Sequence, residues 1–281
     1  MKLLSPSSED LARLNALYPQ GLHQSLQQQL TGWFTAVVAI AAFIYGLFAI
    51  DFVPERILPG LLKLGSFVML MIPPDPGPSF STYLQSLAET LGIAFLGTLI
   101  AAVLAIPFSL LATRNVLPIW LVRFVTRRFF DTIRGVDTLI WALIWISVVG
   151  LGPFAGVLAI ASSDFGAFGK LFSEAIEAAD RKAVEGIKAS GGNRLHEIRF
   201  GLIPQVLPVI AGQVLYYMES NTRSATIIGI VGAGGIGMHL AEQIRTLEWQ
   251  HVSFLIVLVL IAVSAIDFVS ARLRKSLMGT A

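Results

Sequence analysis

The sequence contains six runs of predominantly apolar residues, each about long enough to cross the hydrocarbon core of a lipid bilayer. A membrane-spanning helix needs about 20 such residues. The runs are 31–50, 83–112, 134–151, 153–172, 204–222 and 251–270. We therefore predict an all-α polytopic membrane protein with about six transmembrane helices.

The composition agrees with this prediction and excludes several other classes of protein. Of the 281 residues, 55% are hydrophobic and 14% are charged, whereas typical globular domains carry about 25% charged residues. The chain contains no cysteine, which excludes disulfides, thiolate metal sites and cysteine nucleophiles. The net charge of +2 is too small to indicate a nucleic-acid partner. The composition therefore predicts membrane lipid as a partner and no nucleic acid.

Changes in polarity along the chain divide it into predicted regions. Residues 1–30 form a polar, weakly amphipathic segment that lacks the pattern of a secretory signal. Residues 31–82 contain the first span and a connection, in which 56–72 is interfacial, re-entrant or spanning. The transmembrane domain occupies 83–271, and a short basic tail, 272–281, follows it.

The positions of Lys and Arg residues predict the orientation of the chain. Sixteen of the 20 basic residues lie in the segments 1–30, 113–134, 170–203 and 271–281. Six spans would place these four segments on one side, and cytoplasmic loops carry an excess of Lys and Arg. We therefore expect a multi-pass protein of the bacterial inner membrane with both termini in the cytoplasm.

Motifs of catalytic and metal sites are lacking or stand in the wrong context. The segment 232–237 has the spacing G-x-G-x-x-G, but a dinucleotide site also needs a βαβ unit, and membrane spans flank it here. Such glycines allow close helix packing or an unwound segment, so 225–245 is interfacial, re-entrant or spanning. None of the four histidines forms an H-E-x-x-H pair, and no G-x-S-x-G elbow occurs. We predict no catalytic residue, no metal site and no cofactor in this chain.

A charge-dense segment separates the fourth and fifth runs. Its sequence predicts a first helix over about 173–189 and a break at Gly191 and Gly192. Asn193 is a good N-cap for a second short helix, 194–200, and Pro204 is expected to end that helix. An ordinary polar surface hairpin is the alternative at this stage.

Glu185, Gly191 and Pro204 have the spacing of a known signature, E-A-A-x-x-x-G-x9-I-x-L-P. The match resembles the signature loop of binding-protein-dependent ABC importer permeases, and the resemblance covers roughly residues 83–270. It implies the type I importer permease fold and a coupling loop, 174–203, that docks on the ATPase subunit. The sequence departs from the signature at Gly186, Ile187, Gly201 and Ile203. The candidate coupling residues are Glu185, Gly191, Gly192, Asn193, Arg194 and Pro204.

Several further segments narrow the resemblance to one branch of this family. The stretches 149–158, 172–177, 219–226 and 229–237 look like the phosphonate/phosphite branch of these permeases. The resemblance implies an importer of phosphonate, phosphite or hypophosphite, and the sequence does not choose among the three. It also implies two ABC ATPase subunits that carry the ATP and Mg²⁺, a periplasmic substrate-binding protein, and a second copy of this chain.

The polar residues after the fifth run are candidates for the substrate pathway. They are expected at the junction of that span with the glycine-rich segment, and they are Glu219, Asn221, Arg223, Ser224 and Thr226. An Arg presents a planar fork of donors that suits phosphonate oxygens. The alternative is an Arg that reaches the membrane interface and a structural Glu219–Arg223 pair at i,i+4. Both interpretations stay open.

An ion-coupled secondary transporter of a small anion is the alternative function. Such a transporter needs acidic residues deep inside its spans. The acidic residues that the sequence reading places near the spans lie at their ends, which predicts against this function. They are Asp51, Asp131, Asp137 and Asp267.

Overall fold

The computed structural model describes residues 26–50, 52 and 57–278, and regular structure in them is helical, without strands. The predicted N-terminal segment therefore lies mostly outside the described residues, as do Asp51 and the last residues of the tail. The helices are α1 (Leu26–Ala49), α2 (Ile57–Leu70), α3 (Phe80–Leu111), α4 (Trp120–Arg134), α5 (Thr138–Val149), α6 (Pro153–Ala178), α7 (Arg181–Ala189), α8 (Arg194–His196), α9 (Ile203–Ile230), α10 (Ile236–Arg245) and α11 (Trp249–Met278). A single 3-10 turn, Gly77–Ser79, precedes α3, and a π-helical stretch, Glu197–Leu202, joins α8 to α9.

The chain divides into two compact units, Met1–Ser66 and Phe67–Ala281. In the first unit, α1 contains a 21-residue apolar span of mean hydropathy 1.9, and large side chains such as Trp33 and Phe48 are exposed. Most side chains of this span are exposed, and an exposed apolar surface of this length is suited to face lipid. The apolar helix α2, with 14 residues, is shorter than a bilayer requires.

Helix α6 is the centre of the second unit and contacts α3, α4, α5 and α9. Small residues line its buried face, among them Ala155, Gly156 and Ala159. Its partner helix α3 brings Gly97 so close that a Cβ there would lie 2.7 Å from the Cβ of Ile160. Small side chains let helix backbones approach closely in a membrane, where packing replaces the hydrophobic effect as the driving force.

Each of the six predicted apolar runs is mostly helical. The predicted count of about six spans is confirmed. Among the described residues, five helices are long and apolar enough to cross a membrane, and the count is six if the pair α4 and α5, bent by 86°, crosses as one span. The predicted run 134–151 begins too early, because Gly135 ends α4 and Asp137 caps α5 by accepting the N–H of Leu139 at 2.8 Å.

Three predicted spans end too early, and one of them is 251–270, since α11 continues to Met278. Helix α6 continues six residues past the predicted end at 172, to Ala178, and α9 continues eight residues past 222, to Ile230. The charged residues Glu219 and Arg223 stop an apolar run when the sequence is read alone. In the fold these side chains form ion pairs, so the helix accommodates them.

The helices of the charged segment also differ from the prediction. The first does not begin near 173, because α6 ends at Ala178 and Asp180 caps the separate helix α7 by accepting the N–H of Lys182 at 2.9 Å. The second does not end at Pro204, since the chain stays helical from Arg194 to Ile230. Pro204 stands in the first turn of α9, where the missing N–H and the fixed φ of proline are tolerated.

Candidate functional site

The predicted coupling residues surround a helix–turn–helix corner at one end of the second unit. We call the segments 112–119 and 179–202 at this corner the charged end. Helix α7 is exposed along most of its length, including Glu185. The carboxylate of Glu185 makes no hydrogen bond or ion pair with another described residue, so it is free to contact a partner.

The turn between α7 and α8 uses the three predicted turn residues. Gly191 has φ +83°, a conformation that only glycine adopts at low cost. Gly192 packs so closely that a Cβ there would lie 2.8 Å from the carbonyl oxygen of Ile187. Asn193 forms a capping box: its Oδ1 accepts the N–H of His196 at 3.1 Å, and its own N–H is donated to Nδ1 of His196 at 3.3 Å. The predicted break and cap are confirmed.

Polar contacts attach the charged end to α9 and join its two segments to each other. Gln205 in α9 accepts the backbone N–H of Asp180 at 2.9 Å and donates to the carbonyl oxygens of Asp180 and Gly201 at 3.2 and 2.6 Å. Arg194 donates to the carbonyl oxygens of Asn115 and Val116 at 2.7 and 3.0 Å. Gln205 therefore connects α9 with Asp180, the residue that caps α7.

Close packing explains why glycine stands at position 201, where the family signature has isoleucine. A Cβ at this position would lie 3.0 Å from the Cα of Val184 in α7. Helix α7 thus crosses the π-helical stretch at a distance that leaves no room for the isoleucine of the signature.

The five predicted pathway residues lie inside α9. The prediction that they stand at the junction of this helix with the glycine-rich segment is wrong. That segment begins at Val231, where α9 ends, eight residues after Arg223. Glu219 and Arg223 lie on the helix face toward α11, and Asn221 lies on the opposite side. The hydroxyls of Ser224 and Thr226 donate to carbonyl oxygens four residues earlier, at 3.5 and 3.2 Å.

Arg223 takes part in a four-charge network with α11. Arg274 donates two N–H groups to Oε2 of Glu219, each at 3.0 Å. Arg223 lies 3.8 Å from Oε1 of Glu219 and 3.6 Å from Oδ1 of Asp267, and its side chain is 47% exposed. Glu219 is therefore held mainly by Arg274, while Arg223 is held loosely and remains accessible to an anion.

A second polar cluster, which the sequence reading missed, crosses the core of the unit. Asn221 in α9 donates to Oγ1 of Thr98 in α3 at 2.8 Å and to Oδ2 of Asp164 in α6. All three side chains are buried, at 1% to 5% exposure. Buried polar groups at membrane depth persist where they are hydrogen-bonded to one another, so this cluster joins three helices.

Asp164 corrects the sequence argument against an ion-coupled transporter. That argument placed the acidic residues near span ends, yet Asp164 is the twelfth residue of the 26-residue helix α6, and Asp267 lies inside α11. The signal was present in the sequence as an aspartate within the apolar run 153–172. The positions of acidic residues therefore give no reason to exclude ion coupling.

The glycine-rich segment folds as a tight turn followed by a short helix. Gly232, Gly234 and Gly235 all have positive φ, and Gly152 donates its N–H to the carbonyl oxygen of Gly232 at 2.9 Å. Helix α10 follows, so the short extra helix allowed by the sequence exists. Gly237, the last glycine of the G-x-G-x-x-G spacing, serves helix packing, because a Cβ there would lie 2.8 Å from the Cα of Gly229.

Glu89 and Thr90 of α3 bind the start of α10. Glu89 accepts the N–H of Gly235 at 2.7 Å, and Oγ1 of Thr90 accepts the N–H of Ile236 at 2.8 Å. Beside them lies a cavity of about 740 Å³ whose lining includes His239 and Arg245. Within the described part of the chain, His, Asp and Glu side chains nowhere gather in a group of three or more that suits a metal ion.

Known proteins resemble this chain in sequence and in fold. Residues 105–277 match the family model described as "Binding-protein-dependent transport system inner membrane component". A putative phosphite transport system permease protein, HtxC of Stutzerimonas stutzeri, is 40% identical over 88% of this chain and 87% of its own length. A putative cryptic phosphonate transport system permease protein, PhnE2 of Escherichia coli K12, is 50% identical over 42% of this chain and 98% of its own length.

The fold has a solved counterpart as well. A chain of the MetNI methionine ABC transporter, in inward-facing conformations, superposes with a TM-score of 0.63 at 17% identity and covers 72% of this chain and 98% of its own. At this identity the likeness concerns the fold alone, which is that of a type I ABC importer permease. The family match, the related sequences and this fold agree, and the chain belongs to the family of binding-protein-dependent transport system inner membrane components.

Proposed function

We propose that this chain is the membrane-spanning permease subunit of an ATP-driven importer that carries a phosphorus oxyanion across the bacterial inner membrane. The observation that carries the proposal is the 40% identity to a putative phosphite permease over 88% of the chain. The cargo class is phosphonate, phosphite or hypophosphite, since these share the same anionic oxygens. The phosphonate permease relative supports the same class.

Arg223 is the proposed contact for the cargo in this pathway. Its guanidinium is half exposed and lies beyond hydrogen-bond distance from both of its carboxylate partners. A planar fork of N–H donors binds phosphoryl-type oxygens in two places at once. When Arg223 turns toward an anion, Glu219 stays paired with Arg274, and only the looser pair with Asp267 is given up.

The charged end of each permease chain is the proposed docking site of one ABC ATPase subunit, so that the assembly contains two. ATP and Mg²⁺ belong to those subunits. Movement of α7 on ATP binding is passed through Gln205 to α9, the helix that carries Arg223 and Asn221. The buried bond between Asn221 and Asp164 ties the same motion to α6, so both helices that flank the coupling loop move together.

The proposal includes a periplasmic substrate-binding protein and a second copy of this chain as partners, with both termini in the cytoplasm. Two differently tagged copies of the chain, expressed together, test the homodimer directly: each tag is expected to recover the other. If the tags never recover one another while a different permease chain co-purifies, the homodimer is wrong.

Uptake measurements test the transport function. Cells that lack their own phosphonate and phosphite uptake receive this chain together with its ATPase and binding protein, and uptake of ³²P-labelled phosphite and methylphosphonate is measured. We expect uptake that requires the chain and stops when the catalytic glutamate of the ATPase is replaced. Uptake that persists without the ATPase but collapses with the membrane potential would support the ion-coupled alternative instead.

A further inference from the structure

A cavity of about 350 Å³ opens at the charged end, between α7 and the segment 112–119. Four basic side chains line it, and they are Arg114, Arg181, Lys188 and Arg194. Two carboxylates, Glu185 and Glu197, share the lining. The cavity therefore carries an excess of two positive charges, and a concave site with a net positive charge attracts anions.

The basic side chains differ in how well they are neutralised. Arg194 is engaged by two backbone carbonyl oxygens and lies 3.6 Å from Glu197. The side chains of Arg114 and Lys188, in contrast, form no hydrogen bond or ion pair with another described residue. Glu177 accepts the backbone N–H of Arg114, and its carboxylate pairs with Arg127 at 2.7 Å, so it attracts the Arg114 guanidinium only at longer range.

Arg181 stands between these two cases. Its only side-chain hydrogen bond among the described residues is a long one, 3.4 Å, to Oδ1 of Asn115. Three cationic groups, one from the segment 112–119 and two from α7, thus have donors available on the two sides of one cavity.

Apart from Asn115, the remainder of the lining is apolar. Val116, Val184, Ile198 and Leu202 contribute to it. The volume is near the lower end of small-molecule sites, about 300 Å³, and exceeds what a bare tetrahedral oxyanion fills. A lining that combines cationic and apolar side chains is suited to a ligand that has an anionic head and an organic group.

We propose that this cavity binds an organic phosphorus oxyanion, either a phosphonate or a phosphate monoester, through Arg114, Arg181 and Lys188. The organic group packs on Val184 and Leu202. An anion held in this way bridges α7 to the segment 112–119 and so stabilises the position of the coupling helix. The choice of phosphonate as a ligand rests on the proposed function. The cavity itself is separate from the proposed pathway, since Arg223 does not line it.

Binding of phenylphosphonate to the full-length chain in nanodiscs tests the proposal. Isothermal titration in phosphatidylcholine nanodiscs compares the wild type with the double variant Arg114→Gln/Lys188→Gln. Loss of two charge-assisted contacts is expected to raise Kd roughly tenfold or more. Lys182→Gln is the matched control, because Lys182 is an exposed cation of the same helix that does not line the cavity, and its Kd should equal that of the wild type.

Anionic lipid distinguishes the two sources of a phosphate group. If a lipid headgroup is the natural occupant, nanodiscs that contain phosphatidic acid, a lipid with a phosphate monoester, should weaken phenylphosphonate binding in the wild type by competition. If a free anion is the occupant, phosphatidic acid should leave Kd unchanged. Both results support an anion site in the cavity.

Two results would overturn the inference. The first is no binding of phenylphosphonate, and the second is equal affinity in the wild type and the double variant. If the double variant with unchanged affinity also fails to recover the ATPase subunit, these cations hold an acidic side chain of the partner instead. Uptake by cells measures the proposed transport function separately, so a chain that transports phosphonate but binds none here refutes the cavity alone.

Discussion

Asn221 donates its side-chain N–H to the carboxylate of Asp164, and this bond joins α9 to α6 in the buried core of the membrane unit. The same amide nitrogen also donates to Thr98 of α3 at 2.8 Å. The two helices joined by the bond are the ones that enter and leave the charged end. The cluster therefore connects the helices that lead from the proposed ATPase docking site to the proposed pathway.

Replacement of Asn221 by Leu should destabilise the unit, because Asp164 would lose its hydrogen-bond donor while it stays buried. An unsatisfied buried polar group costs about 1–3 kcal/mol. We expect a lower unfolding temperature in detergent or nanodiscs, and partial recovery in the double variant Asp164→Leu/Asn221→Leu, where neither polar group is left alone. Ser224→Ala is the control, since that hydroxyl bonds only to the backbone of its own helix. Equal stability of Asn221→Leu and Ser224→Ala would contradict the structural role of the cluster.

Arg223→Lys should lower the uptake of phosphite or phosphonate roughly tenfold, because the charge is kept but the bidentate fork is lost. Arg223→Ala should be worse. An arginine that only anchors the chain at the interface predicts the opposite for lysine, which reaches the interface equally well. The measurement is labelled uptake at matched membrane expression, with Arg272→Lys as the control on an exposed arginine of α11. Full activity of Arg223→Lys would remove Arg223 from the pathway.

The double variant Glu219→Gln/Arg223→Ala separates the ion pair from the pathway. From the sequence alone, loss of Arg223 is expected to leave Glu219 unpaired. In the structure, Arg274 donates two hydrogen bonds to Glu219. We therefore expect no recovery of uptake relative to Arg223→Ala alone. A clear recovery would show that an unpaired carboxylate, and not a lost substrate contact, caused the defect.

Gly191→Val should impair ATPase docking while insertion into the membrane persists. The residue has φ +83°, and a β-branched side chain in the left-handed region costs about 1–2 kcal/mol. Gly186→Val is the matched control, since at neither glycine would a Cβ meet another atom within 4 Å, and Gly186 lies inside α7 with ordinary backbone angles. Co-purification of the ATPase and the ratio of transport to ATP hydrolysis are the measurements. If Gly191→Val matches Gly186→Val in both, the charged end is not the docking element.

A reporter fused after Ala281 should be active only if it functions in the cytoplasm. Sixteen of the 20 Lys and Arg residues lie in segments that an even number of spans places on one side. Parallel fusions of green fluorescent protein and alkaline phosphatase at this point give the readout. Alkaline phosphatase activity without fluorescence would overturn the orientation and the count of six spans.

The helical class, the approximate positions of the spans and the turn at 191–193 were predictable from the sequence. Each depends on local physics: an apolar run long enough for a bilayer, a glycine that tolerates positive φ, and an asparagine that caps a helix. The ends of α6 and α9 were not predictable in the same way. Charged residues stop an apolar run, and the ion pairs that let α9 continue involve Asp267 and Arg274 from a distant segment.

The sequence by itself determined that the chain is an all-helical membrane protein of this permease family, because hydrophobic length and motif spacing are properties of consecutive residues. Only the tertiary structure decided which polar residues act together. It separated Asn221 from its neighbours Glu219 and Arg223 by placing them on different faces of α9, and it joined Asn221 to Asp164, 57 residues earlier in the chain. It also brought Arg114 and Lys188 to one cavity. Contacts of this kind follow from helix packing, and no local pattern encodes them.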